Sequence, residues 1–217
     1  NQLRFNLFKQ SGDGYNQWGK YSQAELCYQT ALTLAREIQM NPGQIVELCI
    51  ELANTYEHEG QLDEAITFVE QGQKILQEQE NREILPYSEI HVKLGWIYAR
   101  IQWRLGKNNS AIEFLSKLLP EAEKLPRTPT LESVLTSTYN LMANILGDLV
   151  RYDEAMVYYQ KAIDLAKKIG EKKLIATYLS NLADVCFYLG KFEDGIGLTS
   201  QAFEIASQIG HLDGMQH

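Results

Sequence analysis

Trp96, Arg100 and Trp103 stand at i, i+4 and i+7, a spacing that puts three side chains on one face of a helix. Lys93 and Arg104 lie beside them, in a chain of formal charge −8. A guanidinium grips a carboxylate through two parallel hydrogen bonds, and Trp and Arg often dominate protein interfaces. The chemistry on offer is therefore recognition of an acidic segment or a free carboxylate. The competing reading places both tryptophans in a packed core and the cations on a solvated edge. A second set is made of amides: Asn54, Asn140, Asn144 and Asn181. An amide both donates and accepts, so it suits the backbone of an extended peptide, and it also serves to tie neighbouring helices.

Signatures of catalysis are missing from the sequence. It has no Gly-x-x-x-x-Gly-Lys loop, no complete Gly-x-Gly-x-x-Gly, no His-Glu-x-x-His and no Glu-x-x-His. His58, His91, His211 and His217 are scattered, and no carboxylate pair is set apart as acid and base. The expectation is a protein that binds rather than transforms, with no metal and no cofactor. A charge of −8 disfavours nucleic acid and anionic membranes, which call for excess Lys and Arg. No run approaches the ~18 apolar residues of a membrane span, and no signal-peptide pattern opens the chain. Cys27, Cys49 and Cys186 form no Cys-x-x-Cys pair, which suits a reducing, cytoplasmic setting. Asn1 in place of Met suggests a piece of a longer polypeptide.

The elements that would position these residues are visible as a repeat. Val150-Arg-Tyr-Asp-Glu-Ala155 returns 40 residues later as Gly190-Lys-Phe-Glu-Asp-Gly195, and self-similarity at a fixed period marks a stacked-repeat protein. Further copies begin at Gly19, Gly60 and Gly106, so the small anchors Ala24, Ala65, Ala111, Ala155 and Gly195 are 41, 46, 44 and 40 residues apart. Each copy reads as two helices. Before each turn stands a small residue followed three later by a larger one: Gly12/Tyr15, Ala53/Tyr56, Ala99/Gln102, Ala143/Leu146 and Ala183/Cys186. In the third copy Gly95/Tyr98 is an alternative register, one turn away. Asn41-Pro42 and Thr128-Pro129 read as a cap followed by proline at the first helical position. Glycine suits positive φ in the turns, and Val150 predicts a locally different one.

These residues resemble the tetratricopeptide repeat. The first copy carries Phe8, Ser11-Gly12, Tyr15, Gly19, Tyr21, Ala24, Tyr28 and Ala31-Leu32, and the third departs most, with Asn108 where an aromatic belongs. The long period is similar to the branch found in kinesin light chains and bacterial signal-transduction sensor arrays. The resemblance implies an all-α, right-handed α-solenoid filling 1–217 as one domain. Its repeats would span about 5–41, 42–82, 83–126, 127–170 and 171–210, with 211–217 starting a further helix. It also implies a concave groove, lined by the first helices, that holds a peptide or protein segment. By register the groove takes Glu47, Glu51, Asn54, Glu57 and His58 from the second repeat and Lys93, Trp96, Arg100, Trp103 and Arg104 from the third. The fourth supplies Ser137, Asn140, Asn144 and Asp148, and the fifth Thr177, Ser180, Asn181, Asp184 and Tyr188.

Three roles are compatible with this reading: a protein-interaction scaffold, the sensing arm of a larger signal-transduction ATPase or transcription regulator, and self-assembly into a homo-oligomer through the array ends. End repeats ordinarily need a polar cap.

Overall fold

A computed structural model describes residues 1–81 and 88–214. Among them every regular element is an α-helix: α1 (Gln2–Gln17), α2 (Tyr21–Glu37), α3 (Pro42–His58), α4 (Leu62–Asn81), α5 (Glu89–Arg104), α6 (Asn108–Glu123), α7 (Pro129–Asp148), α8 (Tyr152–Ile169), α9 (Lys172–Tyr188) and α10 (Phe192–Gly214). They fall into two compact units, Asn1–Lys107 and Asn108–His217. Within each unit consecutive helices pack together, and first helices also meet: α3 with α5, and α7 with α9.

Proline and its cap start two of these first helices as the sequence predicts. Asn41 Oδ1 accepts from the Gly43 amide at 2.8 Å, and Thr128 Oγ1 accepts from the Leu131 amide at 3.1 Å. Each supplies a partner to one of the otherwise unpaired first-turn donors. The charged stretch Gln77 to Pro86, expected as the junction between the second and third repeats, is helical in α4 as far as Asn81, and the rest of it lies outside the described residues. Beyond it, Ser88 precedes α5 and its amide donates to His91 Nδ1 at 3.2 Å.

The turns between the two helices of each repeat share one build. The amides of Lys20, Gln61, Lys107, Arg151 and Lys191 donate to carbonyls five residues back, on Tyr15, Tyr56, Gln102, Leu146 and Cys186. The residue before each donor is left-handed: Gly19 at φ 68°, Gly60 at 80°, Gly106 at 74°, Val150 at 60° and Gly190 at 73°. This is the six-to-one bond of a Schellman cap. Val150 therefore corrects the expectation of a different turn: it adopts the glycine geometry despite its branched side chain, which strains it. Gln102 accepts the equivalent bond, which places Ala99/Gln102, not Gly95/Tyr98, in the register of the other repeats.

The small residues occupy buried positions. Ala24, Ala65, Ala111 and Ala155 are fully buried, as are Ala53, Ala99 and Ala143, and Ala183 is 1% exposed. Closer approach needs glycine: a Cβ on Gly12 would lie 2.7 Å from Tyr28 Cε1, and one on Gly195 would lie 2.6 Å from Phe187 Cε1. Around these contacts Leu48, Ile50, Leu52, Leu94, Ile97 and Ile101 fill the first unit. Leu131, Leu135, Ile145, Leu146 and Ile163 are buried in the second. At its end, α10 runs through Gly210 to Gly214, where the sequence reading expects a break and a new helix. Gly170, by contrast, ends α8 in the left-handed conformation.

Candidate functional site

In the first unit α5 lays its polar face against α3. Arg100 Nε donates to Glu57 Oε2 at 2.9 Å, and its Nη2 donates to Asn54 Oδ1 at 2.7 Å and also to Glu57. Arg104 Nη1 donates to the Glu57 carbonyl at 2.7 Å and lies 3.3 Å from its carboxylate. Lys93 Nζ sits 3.6 Å from Glu51. The Trp96 ring carries the Arg100 guanidinium at 4.3 Å, and it packs against the core. Glu57 is the centre of this cluster, its side chain only 6% exposed.

The cationic, aromatic island read from the sequence is thus present, but its charges are answered from within. Glu51 and Glu57, expected only as groove positions, are the counter-charges of Lys93, Arg100 and Arg104. Asn54 is also engaged by Arg100. Trp96 belongs to both readings of the tryptophans, since it touches the core and carries the guanidinium. Trp103 is half-buried on the same helix.

In the second unit the matching face of α7 and α9 is built from neutral amides. Asn181 Nδ2 donates to Asn140 Oδ1 at 3.1 Å. Both residues are half-buried. Asn144, expected in the same row, turns to its own hairpin, where its Oδ1 accepts from Tyr159 Oη at 2.7 Å. Burial, with the carboxylates of Asp148 and Asp184, pushes the Tyr159 phenol well above its ordinary range. The first unit repeats this arrangement, with Tyr28 Oη donating to Asp13 at 2.9 Å. Each tyrosine lies 15 residues after its acceptor, a spacing visible in the sequence and overlooked there.

Aromatic stacks close one edge of both faces. Tyr21 stacks on His58 with ring centroids 5.0 Å apart, and Tyr152 stacks on Tyr188 at 5.2 Å. In each pair the first ring opens a second helix and the partner ends the next first helix. A separate open cleft of ≈ 630 Å³ on α7 and α8 includes Tyr139, Lys161 and Lys168 in its lining. Lys168 is paired with Glu132, and Lys161 lies over the Tyr139 and Tyr158 rings at 5.4 and 5.3 Å.

The three cysteines are free and buried. Burial pushes the Cys49 thiol up to about 11 and raises Cys27 and Cys186 as well, which keeps them protonated near neutrality. Among the described residues no group of His, Cys, Asp or Glu could hold a metal ion. No helix there is long and apolar enough to cross a membrane.

Comparison with known proteins places these faces in context. A family model described as tetratricopeptide repeat matches residues 134–208. One described as uncharacterized protein conserved in bacteria (DUF2225) matches residues 8–142. No curated protein matches the chain in sequence. Among solved structures, BtubC (BKLC) from P. vanneervenii is similar with a TM-score of 0.76 and 22% identity, over 92% of this chain and 78% of that one. Rap protein complexed with Competence and Sporulation Factor gives 0.77 and 16%, over 94% of this chain and 54% of Rap. A signal-transduction ATPase with a tetratricopeptide repeat sensor, from Pyrococcus horikoshii, gives 0.75 and 16%, over 95% of this chain and 30% of the ATPase. At these identities the likeness shows the fold.

Proposed function

From the premise that the chain belongs to the tetratricopeptide-repeat family and, over residues 8–142, to the bacterial family DUF2225, we propose that it is a protein-interaction module. Its ligand is an extended peptide or protein segment held on the face of the first helices. The observation that carries this reading is the Asn140–Asn181 pair. Their mutual bond uses one donor hydrogen of Asn181 and accepts at Asn140 Oδ1. The Asn140 amide group and the Asn181 carbonyl have no other side-chain partner among the described residues. A donor and an acceptor thus stand side by side across two helices, which is the complement of one peptide group.

The first unit supports a different share of the work. Arg100, Arg104 and Lys93 already answer Glu57 and Glu51, so capture of an acidic ligand there would have to displace an internal carboxylate. Selectivity for backbone over carboxylate follows. The complex of Rap with Competence and Sporulation Factor supports ligand capture by this fold. A second reading, a sensing arm within a larger regulatory ATPase, draws on the likeness to the sensor-bearing ATPase. It assigns the same face the same task.

The test is selection of a random peptide display library against the chain, followed by titration of the enriched peptides. Asn140→Ala and Asn181→Ala should each weaken binding about tenfold, the value of one well-made hydrogen bond or slightly more. N-methylation of the peptide backbone should cost more than alanine at its side chains. Affinities indifferent to both asparagines would discard this reading.

A further inference from the structure

Charge is polarised along the helices of the second unit. At the tight turn between α7 and α8, residues 148–154 hold Asp148, Asp153 and Glu154 against Arg151. At the opposite edge, where α8 ends and α9 begins, residues 161–173 hold five lysines against Asp164 and Glu171. Two of the five, Lys167 and Lys168, close α8, where cations complement the helix dipole. Lys172 and Lys173 have no such reason. They open α9, where the dipole disfavours cations, with Glu171 as their only acidic neighbour in sequence. A local rule broken without a local gain points to a site.

The same edge carries the open cleft of ≈ 630 Å³. Its lining runs from the end of α6 to α8, so it lies inside the array and not at either end. Each acid in the lining already has a donor. Glu123 accepts from Tyr139 Oη at 2.6 Å, Asp164 from Gln160 Nε2 at 2.8 Å, and Glu132 from Lys168. The cations are not matched in the same way. Arg127 lines the cleft with no hydrogen bond or ion pair among the described residues, and Lys161 meets only the rings of Tyr139 and Tyr158. Lys167, Lys172 and Lys173 are exposed and likewise have no ion pair there. What this edge lacks is an acceptor, and none of these residues belongs to the asparagine face.

We propose that this edge of the second unit docks an acidic segment of a partner protein. One carboxylate of that segment is seated between Arg127 and Lys161, and further acids are met by Lys167, Lys172 and Lys173. A guanidinium suits a carboxylate through two parallel hydrogen bonds, and Tyr139 and Leu165 in the same lining offer apolar contact to the side chain that carries it. The overall charge of −8 repels a dense polyanion such as nucleic acid or an anionic membrane. A flexible peptide can set its few acids on these cations and avoid the rest of the surface.

The probe is a fluorescein-labelled oligoglutamate peptide, titrated with the chain and followed by anisotropy, with oligoglutamine as the uncharged control. Saturable binding that weakens as salt rises is expected for oligoglutamate alone. Arg127→Glu and Lys161→Glu should each weaken it about tenfold, the value of a charged hydrogen bond. Lys172→Glu and Lys173→Glu, on the solvated rim, should each cost about threefold. Lys191→Glu makes the same change of charge at the tight-turn edge and should leave the affinity nearly unchanged. All five side chains are exposed, and helix content by circular dichroism should match the parent. Absence of saturable binding at low salt overturns the proposal. So does a loss for Lys191→Glu as large as that for Arg127→Glu, which would mean diffuse attraction. Tighter binding of oligouridylate, or of vesicles of phosphatidylserine and phosphatidylcholine, than of oligoglutamate overturns it as well, since the edge would then serve nucleic acid or membrane.

Discussion

Between α3 and α5 the polar face is tied by ions: one carboxylate, nearly sealed from water, holds two guanidinium groups, and a neighbouring amide takes the remaining reach of Arg100. Between α7 and α9 the same kind of face is tied by neutral groups, the Asn140–Asn181 amide bond and a hydrogen bond between Tyr178 and Ser137. The turns and the small-residue crossings are alike in both places, so the difference lies in side chains alone. Mutual attraction compensates a buried ion only while its partner is present, whereas a half-buried amide can exchange its partner for water. The ionic face therefore specifies one arrangement and keeps its groups occupied. The amide face retains groups that can turn to a visitor.

Removing one partner should separate the two faces most sharply. Arg100→Ala leaves Glu57 buried without its main counter-charge and is expected to cost about 3–5 kcal/mol. Asn140→Ala should cost about 1 kcal/mol or less. Trp18, Trp96 and Trp103 all lie in the first unit, so denaturation followed by tryptophan fluorescence reads the Arg100→Ala loss there, while circular dichroism, which follows the helices of both units, reads Asn140→Ala. An Arg100→Ala loss as small as that of Asn140→Ala would erase the contrast.

A smaller effect tests what the units share. Ala65→Leu and Ala155→Leu place a larger side chain at equivalent buried positions, and each should lower stability by about 1–3 kcal/mol. A melting midpoint that moves for one and not for the other would mean that the crossings are not equivalent. The smallest change should be a gain. Val150 is 68% exposed and left-handed, so Val150→Gly relieves strain without opening a cavity. Set against the greater freedom of glycine in the unfolded chain, a net stabilisation of about 1 kcal/mol is expected. A neutral or destabilising result would show that packing of the valine outweighs its backbone.

Much of this architecture was legible in the residues. The turn positions and small anchors follow from local rules, because a left-handed cap and a close helix crossing each restrict the residue that fits. Val150 was misjudged for an instructive reason: the packed helices on either side impose the turn, and local preference loses by only about 1–2 kcal/mol. The candidate site was half legible. Spacing grouped Lys93, Trp96, Arg100 and Arg104, but their partners lie more than 40 residues away on another helix. Pairing across repeats depends on how two faces rotate toward each other, which periodicity within one helix does not encode. Asn144 is the same case in reverse, since a tyrosine from its own hairpin claims it.

The turn inside each repeat also acts as a fixed gauge. Every one links its two helices through three residues: Trp18–Lys20, Glu59–Gln61, Leu105–Lys107, Leu149–Arg151 and Leu189–Lys191. Junctions from one repeat to the next differ among the described residues, from the two residues 170–171 to the five residues 124–128. Uneven periods are thus absorbed in helix length and where successive repeats join, and never at the tight reversal. Insertions along this lineage should accordingly accumulate at those joins, where extra chain loops outward and leaves the stacking of neighbours intact.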